Sequence, residues 1–171
     1  MAGHAGFPRP HHHRPGPNPP AGSGGSLVRV IITRDDGYQI DTTKERLNTA
    51  RVHEWLSTDA YWALGREPQV TARAIVGSEC FGVYEPSGEQ VGFARVVTDG
   101  ATFGWLCDVY IARPVRGEGL GTALTNAVCA YLEPFGLRRV LLATADAQEI
   151  YARAGFAPLA NPGKWMVLGD E

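Results

Sequence analysis

The chain has 171 residues, with 16 Lys and Arg against 18 Asp and Glu and a formal net charge of −2 near neutral pH. That length fits one domain, and the mildly acidic balance excludes the concentrated positive charge that broad nucleic-acid or anionic-membrane binding needs. No apolar run approaches the ~18 residues of a membrane span.

Residues 1–26 are a different material from the rest. They hold prolines at 8, 10, 15, 17, 19 and 20, six glycines and the triplet His11-His12-His13, with almost nothing that could fill a core. They read as a disordered arm, and residues 27–171 as the folded domain. The arm lacks the apolar centre of a signal peptide. Its three histidines have no spaced partner ligands, so a solvated tail is expected there and no metal site. Without Arg9 and Arg14 the remainder keeps 14 Lys and Arg against 18 Asp and Glu. Cys80, Cys107 and Cys129 lack CxxC spacing and read as reduced core residues of a cytoplasmic protein.

In chain order, Val28–Thr33 alternates weakly, Asp35-Asp36-Gly37 signals a turn, and Tyr38–Thr42 reads as the returning strand. Leu47, Val52, Trp55 and Leu56 then fall at helical spacing, with cap candidates at Asp41-Thr42-Thr43. An aromatic group follows at Tyr61-Trp62, Gly65 and Pro68 break the pattern, and Thr71–Val76 resumes it. The period next becomes two. Cys80–Tyr84, the turn Pro86-Ser87-Gly88-Glu89 and Gln90–Val97 read as a hairpin, and Thr98-Asp99-Gly100 turns the chain into Ala101–Ile111. Asp99 is most simply a turn former.

Residues 120–133 carry Leu120, Ala123, Leu124, Ala127, Val128 and Tyr131 at steps of three and four, an amphipathic helix ended by Pro134 and Gly136. Arg139–Thr144 is β-rich, and a strand–helix–strand crossover makes it parallel to 105–111. A helix over Ala147–Ala154, for which Asp146 is the expected cap, and a short strand near Trp165–Leu168 close the chain. The expected class is α+β: a central mixed sheet, mostly antiparallel with one parallel crossover, and helices on both faces.

Between strand and crossover helix lies Arg113-Pro114-Val115-Arg116-Gly117-Glu118-Gly119-Leu120-Gly121. A helix's first turn exposes N–H groups with no internal partner, at the positive end of its dipole. Glycines let a ligand approach those donors, and Arg116 adds a cation, so the loop suits a phosphate or pyrophosphate. A tight turn that needs small residues gives the same pattern. A Walker A loop is excluded, because no lysine lies between Lys44 and Lys164. A Rossmann fingerprint is excluded too, because Thr122 stands where its last glycine belongs.

Arg116-x-x-Gly119-x-Gly121 directly after a strand resembles the acetyl-CoA loop of the GNAT superfamily of N-acetyltransferases. The order of elements over residues 38–168 is similar to that fold, and Tyr151-Ala152-Arg153-Ala154-Gly155-Phe156 matches its Tyr-x-x-x-Gly-Phe motif. Tyr61–Arg66, Phe93–Asp99 and Ala143–Ala147 further resemble a subgroup of small bacterial members with undefined acceptors. The resemblance implies acetyl-CoA as cosubstrate and direct acetyl transfer to a primary amine in a ternary complex. It implies that Arg116, Gly117, Glu118, Gly119, Leu120, Gly121 and Thr122 hold the pyrophosphate. Val109, Tyr110 and Ile111 would bind the pantetheine as an added strand edge.

Tyr151 is the implied acid for the departing thiolate, with a packed helix residue as the plain alternative. Some members place a basic glutamate before the loop. Here that position is Cys107, which leaves neighbouring Asp108 as the candidate base or else as a structural carboxylate. An acyl-cysteine route is not expected, since no histidine but His53 lies in the folded part. Trp55, Asp59, Tyr61, Trp62 and Arg66 fall in the segment that builds the family's acceptor pocket, where acidic and aromatic groups would suit a cationic amine; some of these aromatics read equally as core. A non-catalytic acyl-CoA sensor and a protein lysine or N-terminal acetyltransferase are the rival functions. Members often pair, so a homodimer is compatible with the resemblance.

Overall fold

The computed structural model describes residues 29–169; the arm expected over 1–26 lies outside them. One six-stranded sheet runs in chain order: β1 (Ile31–Thr33), β2 (Gln39–Asp41), β3 (Glu79–Tyr84), β4 (Gln90–Thr98), β5 (Phe103–Ile111) and β6 (Arg139–Leu141). Every pairing is antiparallel except β5 with β6, which is parallel. The expected mixed sheet and parallel crossover are thus present.

The sheet has a buried layer on each face. On one, α3 (Leu120–Leu132) sets Leu120, Leu124, Ala127, Val128 and Tyr131 against Phe81, Val83, Ala94, Val96 and Leu106. On the other, α1 (Thr49–Thr58) and α2 (Pro68–Val76) bring Val52, Leu56 and Ile75 onto Cys80, Phe93 and Tyr110. Neighbours such as Cys80 and Phe81, or Phe93 and Ala94, therefore serve opposite layers, as period-two side chains must.

β5 breaks that rule. Leu106 packs with the α3 layer and Tyr110 with the α1–α2 layer, although both positions are even. The ladder explains it, because Arg95 pairs with Cys107 and Phe93 with Tyr110, so two β5 residues oppose Ala94 alone. The extra residue is a β-bulge that reverses which face each side chain meets. Asp108 sits in it at φ 52°, the one non-glycine residue with positive φ among those described.

The local caps differ from expectation. Asn48, not the 41–43 stretch, caps α1 by accepting the Arg51 N–H at 3.0 Å. Asp41 is instead fully buried and paired with Arg46 at 2.7 Å. Pro68 opens α2 rather than only breaking the chain, since a first-turn proline lacks an N–H that would go unpaired anyway. Asp146 does not cap α4 (Gln148–Arg153); the Thr144 hydroxyl accepts the Ala147 N–H there at 3.1 Å. Trp165–Leu168 forms no strand, and Met166 and Leu168 are fully exposed. β6 stops at Leu141, short of the expected Thr144.

Candidate active site

That early stop makes the site. β6 pairs only with Phe103–Trp105, the first third of β5. Beyond it the strands part, and among the described residues the β5 edge from Leu106 to Ile111 has no strand partner on that side. A cavity of about 770 Å³ fills the split, bounded by this edge, the glycine loop, the 60–66 turn and the 143–151 segment.

The loop matches a phosphate seat in its backbone. Gly117 and Gly119 take φ of 90° and 74°, and a Cβ at either would meet nothing within 4 Å, so both face open space. The N–H groups of Gly117, Glu118 and Gly119 donate to no group among the described residues, and those of the first α3 turn have no intrahelical acceptor. Glu118 is turned away. Its carboxylate accepts the Tyr38 hydroxyl at 2.9 Å and its carbonyl accepts from Arg34 at 3.1 Å. Only its backbone can serve an anion, and the side chain fastens the loop to the first hairpin, a tie that no sequence motif announces. The orphan donors and glycine cradle fit a coenzyme pyrophosphate.

Arg116 is folded back, its Nε donating to the Ile111 carbonyl at 2.8 Å and its guanidinium reaching Asp59 at 3.2 Å. Asp59 also binds Arg113 and accepts the Tyr110 hydroxyl at 2.7 Å. Hydrogen bonds from Arg113 and Tyr110 hold its carboxyl well below the usual range. Asp59 thus joins the end of α1 to the segment that precedes the loop.

Asp108 is 4% exposed. Arg66 grips it with two nitrogens at 2.6 and 3.0 Å, the Arg95 Nε reaches it at 2.6 Å, and the Trp62 indole N–H donates at 3.2 Å. Burial alone would raise its pKa, but the hydrogen bonds from Arg66 and Arg95 outweigh it and keep the carboxyl below the ordinary value. A carboxylate so held is a poor proton acceptor. Cys107 lines the cavity as a thiol, pushed up to about 11 by burial although Arg95 opposes the shift. That removes the thiolate an acyl-cysteine would need.

Tyr151 lines the cavity half-buried, its ring edge-on to Phe156 at 6.0 Å. Burial pushes its hydroxyl pKa up, with Tyr61 and Asp146 adding smaller contributions. A proton is therefore held on it, as a donor requires. Of the five acceptor-wall candidates, Asp59, Tyr61, Trp62 and Arg66 line the cavity. Trp55 does not; it is partly buried and stacks on Tyr110 at 5.2 Å against the α1–α2 layer.

The acetyltransferase (GNAT) family model matches residues 49–156. A Gibberella zeae protein named as a candidate acetyltransferase is 34% identical over 140 residues, covering 71% of this chain and 78% of that one. A solved Xanthomonas campestris pv. campestris protein, described as a candidate GNAT acetyltransferase, is 41% identical, with a TM-score of 0.74 over 78% of this chain and 93% of its own. A Mycobacterium tuberculosis protein solved with CoA and NLQ shares the fold at 23% identity and TM-score 0.54, over 67% of this chain and 70% of its own. The split sheet, the glycine cradle and these likenesses agree: the chain belongs to the GNAT acetyltransferase family, acyltransferases that use acetyl-CoA as cosubstrate.

Proposed function

We propose that this enzyme acetylates a primary amine of a small molecule by direct transfer, both substrates being bound together in the split between β5 and β6. The observation that carries this reading is the single continuous cavity. It runs from the orphan N–H groups of the loop, along the unpaired β5 edge, to a chamber with Tyr151 and the aromatic pair Tyr61 and Trp62. One space that holds both partners removes the need for a covalent enzyme intermediate.

In this reading the pyrophosphate lies on Arg116, Gly117, Gly119 and Gly121 with the backbone of Glu118, Leu120 and Thr122, and Arg116 exchanges Asp59 for the phosphates. Val109, Tyr110 and Ile111 offer backbone groups to the pantetheine. The amine nitrogen attacks the thioester carbon, the C–S bond breaks, Tyr151 protonates the leaving sulfur, and the proton lost by the nitrogen passes through solvent to restore the Tyr151 hydroxyl. Asp108 acts as the anchor of Arg66, Arg95 and Trp62 and not as the base. The sensor reading fits less well, because a binding module needs no protonated tyrosine at the thioester end of its cavity.

The test is initial-rate kinetics over a panel of small primary amines, varied against acetyl-CoA. Intersecting reciprocal plots are expected, whereas parallel lines would replace direct transfer by an acyl-enzyme. An enzyme that binds acetyl-CoA but releases no CoA with any amine or peptide would be a sensor. Tyr151→Phe should lower kcat by roughly a hundredfold, in the usual range for a lost general acid, with acetyl-CoA affinity kept within about twofold. An unchanged kcat removes Tyr151 from the chemistry.

A further inference from the structure

The cavity is lined by four arginines and three aspartates: Arg66, Arg95, Arg113, Arg116, Asp59, Asp108 and Asp146. All four guanidiniums are turned onto the first two carboxylates, Arg113 and Arg116 onto Asp59, Arg66 and Arg95 onto Asp108. Asp146 is left over. It is exposed to the cavity and has neither an ion-pair nor a hydrogen-bond partner among the described residues. Nor does it cap α4, which has no side-chain cap.

Its surroundings suit a cation. The neighbouring Ala145 N–H donates to the Tyr61 hydroxyl at 3.0 Å, which draws the 60–66 turn up to the Asp146 segment. Tyr61 and Trp62 meet edge to face at 4.9 Å and are 50% and 43% exposed. An unpartnered carboxylate that lines the same cavity as two half-exposed aromatic rings supplies the groups that bind alkylammonium, charge and cation–π attraction.

We infer that Asp146 binds a second, non-reacting positive charge on the acceptor, so that this enzyme prefers diamines and related polycationic amines over simple monoamines. A carboxylate that holds an ammonium away from the reacting end positions the neutral nitrogen for attack without competing for it. The inference rests on the amine-acceptor reading above and adds the acceptor's class and the residue that selects it.

The test compares 1,4-diaminobutane with n-butylamine in the wild type, Asp146→Asn and Asp146→Glu, with acetyl-CoA affinity and thermal unfolding measured alongside. The wild type should favour the diamine in kcat/KM by roughly tenfold or more, as one charge-assisted contact allows. Asp146→Asn should erase that preference mainly through the KM for the diamine, with acetyl-CoA affinity and Tm kept, and Asp146→Glu should restore it in part. Because the carboxylate also bears on the Tyr151 hydroxyl, the preference is read as the ratio of diamine to butylamine kcat/KM within each variant. A wild type indifferent to the second charge, or an Asn variant that keeps the preference, overturns the inference while the amine-acceptor reading stands. If acetyl-CoA binds and neither amine nor any other in the panel is acetylated, both readings fall.

Discussion

In titrations with acetyl-CoA, Gly119→Glu is expected to bind at least roughly a hundredfold more weakly than the wild type. Gly119 caps the N-terminus of α3 in a left-handed conformation at φ 74°. A side chain there brings strain of about 1–2 kcal/mol, which falls mainly on folding. The carboxylate does the rest, because it would stand among the N–H donors assigned to the pyrophosphate. Two unit charges 4 Å apart repel by about 4 kcal/mol at an effective dielectric near 20, and each 1.4 kcal/mol is a factor of about ten. Gly119→Ala separates the two effects, since it carries the strain without the charge and should lose stability with only a few-fold loss of affinity. Thermal unfolding gives a second readout, because a ligand that binds the native state raises Tm by mass action. Saturating acetyl-CoA should shift the wild type and Gly119→Ala clearly and the Glu variant little. If all three bind alike, the loop is only a turn and the coenzyme lies elsewhere.

The sheet was legible because its signals are local. Period-two runs with Pro-Ser-Gly-Glu and Thr-Asp-Gly turns place β3, β4 and β5, and spacing of three and four places α3. The glycine loop was legible because strand, glycines and helix follow within a few residues. What was hidden depends on pairing across distance. Nothing in Cys107-Asp108-Val109 shows that Asp108 is an extra residue; the bulge exists only relative to Phe93–Arg95 on the partner strand. It decides that Asp108 meets Arg66 and Arg95, contacts 42 and 13 residues away in sequence. Likewise Asp59, Asp108 and Asp146 are the same residue type in similar polar settings, and only the ion pairs show which one is left without a partner among the described residues. Trp55 and Trp62 seven positions later were indistinguishable as candidates until α1 set one against the Tyr110 ring and the following turn set the other against the cavity.

The bulge makes the second large prediction a clean one. Asp108→Asn should lower stability by about 3–5 kcal/mol, as expected when one partner of a buried ion pair is removed and the rest stays, a fall in Tm on the order of 10 °C for a domain of this size. Arg66 and Arg95 have side chains only 18% and 15% exposed and would lose the one carboxylate that both face. Asn tolerates a φ of 52° nearly as well as Asp, so the substitution tests charge without adding backbone strain, which Asp108→Ala would not. The pH dependence follows from the lowered folded-state pKa. The native carboxylate binds its proton less readily than the unfolded one, whose pKa is about 3.9. Its stabilisation is therefore complete above that value and is lost as pH falls through it toward the folded value. The stability gap between wild type and Asp108→Asn should be widest near neutral pH and close progressively below about pH 4. Denaturant midpoints measured from pH 3 to 7 would show it. The same variant decides the residue's role. An anchor predicts lost stability together with impaired turnover, because Arg66 and Trp62 lose their fixed positions on the cavity wall. A general base predicts an intact Tm with kcat reduced and the acidic limb of its pH profile gone, and that outcome would return Asp108 to the chemistry.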